Sequence, residues 1–83
     1  MATIDRSLYD PIMQAPSKMY HAIIRTDRYL SLVAEACVEH GISIQRKFRL
    51  IRALAVYGEG SLLLILADHP HVKHIESDEE FCL

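Results

Sequence analysis

The chain has 83 residues, of which 51% are hydrophobic and 24% charged, with a net charge of −2. This is enough chain for one small domain with a single core. The charge balance argues against an electrostatic grip on nucleic acid or an anionic membrane as the main activity, so neither is expected as a partner.

No apolar stretch reaches the ~20 residues of a bilayer span, and the start lacks the charged-then-apolar order of a secretory signal. A cytoplasmic location is therefore expected if Met1 is the native start. Cys37 falls in a helical pattern and Cys82 near the end, which is no disulfide framework. Both read as free thiols, Cys37 as a small core residue.

Residues 1–17 read as an irregular N-terminal extension, with Pro11 and Pro16 among scattered apolar residues Ile4, Leu8, Tyr9, Ile12 and Met13. The run Met19-Tyr20-His21-Ala22-Ile23-Ile24 then has strand character. Thr26 or Asp27 can cap a helix from Arg28 to His40. Its apolar positions Leu30, Val33, Ala34, Cys37 and Val38 repeat at helical spacing, and Gly41 supplies the stop. Ile42 to Phe48 and Arg52 to Tyr57 alternate with period two around a bend near Leu50, which predicts two strands in a hairpin.

Gly58-Glu59-Gly60 is expected to break the second of these strands. Ser61 can cap a short helix through Leu62-Leu63-Leu64-Ile65-Leu66. A run of large aliphatics is also compatible with a buried strand, but Pro70 and the leucines favour helix. Val72 to Asp78 alternates briefly and ends acidic. The predicted order is β-α-β-β-α-β: an α+β, ferredoxin-like sandwich of four antiparallel strands with both helices on one face.

That arrangement leaves one sheet face without a helix, and on it or its edge part of Met19, His21 and Ile23 is expected together with some of the Arg46 to Arg52 stripe. The second helix should face the sheet through Leu62, Leu63 and Leu66 and leave Leu64 and Ile65 outside. Leu8, Tyr9, Ile12 and Met13 are then expected to fold back over those two residues.

The end of the chain resembles a known pattern. Three stretches carry the resemblance: Tyr20 to Arg25; Arg46-Lys47-Phe48 leading into Leu50-Ile51; and above all Leu66-Ala67-Asp68-His69-Pro70-His71-Val72-Lys73-His74-Ile75-Glu76-Ser77-Asp78. Together they are similar to the propeptides of subtilisin-like serine proteases and the stand-alone inhibitors of the same fold, the I9 peptidase-inhibitor family. The closing run matches its order of helix leucine, proline, valine, then a hydrophobic residue followed by Glu-x-Asp. The chain departs at Ala53, where the family often has glycine, and at Glu80, where an apolar residue is usual.

The resemblance divides the chain into the extension 1–17, an inhibitor-like domain 18–78 and a cleft-binding tail 79–83. It implies that the helix-free sheet face rests on a subtilisin-like serine protease, with Glu76 and Asp78 meeting helix N-termini of that enzyme. Glu79, Glu80, Phe81, Cys82 and Leu83 would lie product-like in its substrate cleft. Such a chain is either a free-standing inhibitor or a propeptide, and a propeptide would also act as an intramolecular chaperone. The free chain is expected to be monomeric.

No nucleophile is paired with a base and no Gly-rich phosphate loop is present, so no enzymatic activity is expected. His69, His71 and His74 straddle a proline turn without a recognisable ligand spacing, so no metal or other cofactor is expected. The alternative function is a ferredoxin-like regulatory or nucleic-acid-binding module. Arg46, Lys47, Arg49 and Arg52 would serve the second of these, but only Phe48 and Tyr57 are at hand for base stacking.

Overall fold

In the computed structural model, which describes residues 2–78, the chain is an α+β domain with a five-stranded mixed sheet and three helices. The elements are β1 (Thr3–Ile4), α1 (Arg6–Gln14), β2 (Met19–Thr26), α2 (Leu30–Glu39), β3 (Ser43–Phe48), β4 (Ala53–Glu59), α3 (Gly60–Leu66) and β5 (Val72–Ser77). The sheet order is β1-β5-β2-β4-β3. The β5-β2-β4-β3 part is antiparallel throughout, and β1 adds parallel to β5.

Strand β1 and helix α1 correct the expectation of four strands, two helices and an irregular start. Pro11 sits inside α1, where its ring removes a helical donor and disfavours the helix. The pair Leu8 and Ile12, at i and i+4, nevertheless makes an apolar stripe. Both are fully enclosed, at 2% and 0% exposure, and their burial outweighs the proline. The Tyr20 hydroxyl stands 2.9 Å from the carbonyl oxygens of both Pro11 and Ala15 and fixes the end of the helix to β2.

One core cluster takes Leu8 and Ile12 from α1, Val33, Ala34 and Cys37 from α2, and Leu63 and Leu66 from α3. They pack with Ala22 and Ile24 of β2, Leu54 and Val56 of β4, and Ile75 of β5. Since strand side chains alternate between faces, all three helices cover the same side of the sheet. Cys37 is 0% exposed, as expected of a small core residue. Of the two aliphatics expected outside α3, Leu64 packs partly against the core while Ile65 stays 49% exposed.

The sequence signals at the element ends act locally. Gly41 takes φ 74° and closes α2, a conformation that costs glycine nothing. Asp27 accepts the Tyr29 amide through Oδ1 at 2.8 Å at the entry to that helix. The expected break at Gly58-Glu59-Gly60 is not a gap: β4 runs through Glu59, paired with Met19, and α3 starts at Gly60. Ser61 donates to the Glu59 carboxylate at 2.7 Å instead of capping the helix.

Candidate protein-docking face

The face opposite the helices is built from the odd positions of β2 and their neighbours. Met19, His21, Ile23 and Arg25 alternate away from the core, opposite Glu59, Tyr57, Ala55 and Ala53 of β4. On the other side, Ile23 and Arg25 pair with Glu76 and His74 of β5.

Strand β3 reaches this face through a slip in register. Ile44 pairs with Val56 on the core side, Gln45 is skipped, and Arg46 pairs with Ala55. One extra residue in a strand moves every following side chain to the other face. Strict alternation from Ile44 would have put Arg46 and Phe48 under the helices; the slip puts them on the open face and Lys47 on the helix side.

The centre of this face is a shallow groove of about 320 Å³. Ile23, Ala55, Phe48 and Ile51 make it apolar, Arg25 and Arg46 supply cations, and Asp78 stands at its end. Around it Met19 is 48% and Ile51 59% exposed. His21 packs against Tyr57 with ring centroids 4.3 Å apart and the rings tilted by 36°. The Arg25 Nε donates to the Glu76 carboxylate at 2.7 Å, a diagonal contact across β2 and β5.

The predicted site residues thus have defined surroundings where the structure describes them. Glu76 has a side chain 28% exposed and is held by Arg25. Asp78 is only 5% exposed, and its amide donates to the His21 carbonyl at 3.2 Å, so the end of the last strand stays tied to β2. The cleft-binding expectation for Glu79, Glu80, Phe81, Cys82 and Leu83 lies outside the described residues.

The three closing histidines do different things. The His71 Nδ1 is 2.8 Å from the Asp27 Oδ2, the His69 Nδ1 accepts the His71 amide at 3.1 Å, and the His74 Nδ1 is 2.6 Å from the Thr3 hydroxyl. Asp27 is pulled two ways. Burial raises its pKa, and the Tyr29 amide, the His71 hydrogen bond and the charges of His71 and Lys73 outweigh that, leaving it below the ordinary 3.8. Among the described residues no group of three or more His, Cys, Asp or Glu side chains is arranged to hold a metal ion.

Phe48 and Tyr57 both face the open side, but Phe48 lies opposite Ala53, four residues along β4 from Tyr57. That is about 13 Å, and Tyr57 is already packed against His21. They do not form the adjacent aromatic platform of a base-stacking sheet.

Sequence reading missed the Arg25–Glu76 contact and the register slip that brings Arg46 to the open face. The first depends on cross-strand register. The second is a slip at Gln45 that no periodicity announces, although a polar Gln-Arg-Lys run breaking the alternation after Ile44 is its one visible trace. No family model matches this chain, and no match is found among curated proteins.

Proposed function

We propose that the chain is a protein inhibitor of a subtilisin-like serine protease, free-standing or as a propeptide, that docks through the helix-free sheet face and its C-terminal tail. The observation that carries this reading is the open face itself. A single small domain presents a half-apolar sheet surface with its own ion pair and groove, and among the described residues no helix covers it. With β1 and α1 set aside, the remaining element order and the strand order β5-β2-β4-β3 support a ferredoxin-like reading, the arrangement that the resemblance to I9 inhibitors implies.

The mechanism follows from ordinary recognition chemistry. The sheet face rests on the protease surface with Met19, Ile23 and Phe48 desolvated there. Glu76 exchanges its contact with Arg25 for backbone N–H groups at a helix start of the enzyme, an exchange of one charge-assisted partner for another. Beyond Asp78, Glu79 to Leu83 add a strand to the substrate cleft, with alternate side chains entering pockets and Leu83 nearest the nucleophile.

The test is truncation. Removal of Phe81, Cys82 and Leu83 takes away the cleft contact, leaves the described fold intact and weakens inhibition severely. Equal inhibition by full and shortened chains overturns the tail mechanism.

A further inference from the structure

The sequence-wide charge hides an uneven distribution. Between Glu39 and Glu59 there is no acidic residue, while Arg46, Lys47, Arg49 and Arg52 are all present and all exposed. At the tip of this β3–β4 hairpin Leu50 is 100% exposed and Ile51 59%. A turn needs no aliphatic side chains at its apex, and two adjacent bare ones on a small domain forfeit burial. The base of the tip is held firmly: Arg52 takes φ 54°, and its carbonyl accepts the Thr26 amide at 2.8 Å and the Thr26 hydroxyl at 3.2 Å.

We propose that this tip docks on an anionic phospholipid surface, with Leu50 and Ile51 entering the headgroup boundary and the four cations meeting the lipid phosphates and carboxylates. This goes beyond the proposed inhibition and does not depend on it. The cations favour a lipid surface over a protein pocket because they stand on both sides of the hairpin and not in a one-sided patch. Arg46 stands opposite Ala55 on the helix-free side and Lys47 opposite Leu54 on the helix side. Among the described residues no ion pair engages any of the four. An exposed aliphatic apex flanked by long cationic arms suits a planar anionic layer, where the arms reach up to the headgroups as the apex sinks.

The test is co-sedimentation of the full chain with vesicles of phosphatidylcholine alone and of phosphatidylcholine mixed with phosphatidylserine. Binding is expected only to the mixed vesicles and is expected to fall at high salt. The double variant Leu50→Ser, Ile51→Ser, which removes only exposed side chains, and the charge variant Lys47→Glu, Arg49→Glu should each bind roughly tenfold more weakly, with unchanged circular dichroism. No binding of the full chain to mixed vesicles at low salt, or equal binding by the variants, overturns the proposal. So does a tip variant that keeps vesicle binding and instead loses grip on a protease, which would make the tip a protein contact.

Discussion

A methyl group added at Gly60 would stand 2.9 Å from the Ile12 Cγ2 and 2.9 Å from the Tyr20 Cε2, at the seam where α1, β2 and the start of α3 meet. Ile12 is fully buried, so the seam cannot open freely, and Gly60→Ala is expected to destabilise the chain by about 1–3 kcal/mol in urea titration. Cys37 gives a second residue-scale expectation. Burial pushes its thiol up to about 11, so the thiolate is scarce and enclosed. In a Cys82→Ser background, alkylation of Cys37 at neutral pH should be negligible until denaturant unfolds the chain. Prompt labelling of the folded protein would contradict the packing of α2.

Asp27 links the entry of α2 to the turn before β5 through the Tyr29 amide and His71. Its folded pKa lies below the ordinary 3.8. The stability it contributes is therefore present above that unfolded value and is lost as pH falls through the lower folded one. Urea midpoints measured down the acid limb should fall with pH, and Asp27→Asn should lower the midpoint at pH 7 and flatten that fall. An unchanged acid limb would show that the pair does not report on folding.

At the scale of elements, α1 belongs to the domain that follows it. Removing residues 1–17 uncovers the core where Leu8 and Ile12 sit and takes away the β1–β5 pairing. Losing two fully buried aliphatics costs about 3–6 kcal/mol, much of the margin of a chain this short. The shortened chain is expected to lose its cooperative urea transition, and retention of the full midpoint would contradict the packing described.

The contrast between elements shows what the sequence made legible. α2 and the β3–β4 hairpin declared themselves because their apolar periods are strong and a glycine or a bend ends each. α1 did not, because Pro11 and Pro16 read as breakers while the Leu8/Ile12 stripe needed a core to justify it. β1 is two residues long, too short for any period. For the candidate site, the acids Glu76 and Asp78 were visible. The hold of Arg25 on the first and the burial of the second were not, since both come from strand pairings distant in sequence.

At the scale of the whole molecule, three helices on one side and a grooved, half-apolar sheet face on the other make an asymmetric particle. The proposed inhibition uses that asymmetry: the helix-covered side supplies stability and the helix-free side supplies recognition. Charge substitution on the helix-free side, as in Ile23→Asp, should weaken protease binding by on the order of 2 kcal/mol or more if Ile23 is a desolvated anchor. The fold itself should change little, because Ile23 lies outside the core cluster.

The most direct measurement is a titration of the full chain into a fixed amount of a subtilisin-like protease, with a trypsin-like protease as control. Subtilisin-type activity is expected to fall linearly and reach its floor near equimolar chain, while the control is untouched. Undiminished activity at a large molar excess of intact chain, or equal loss in both enzymes, would contradict the proposed inhibition.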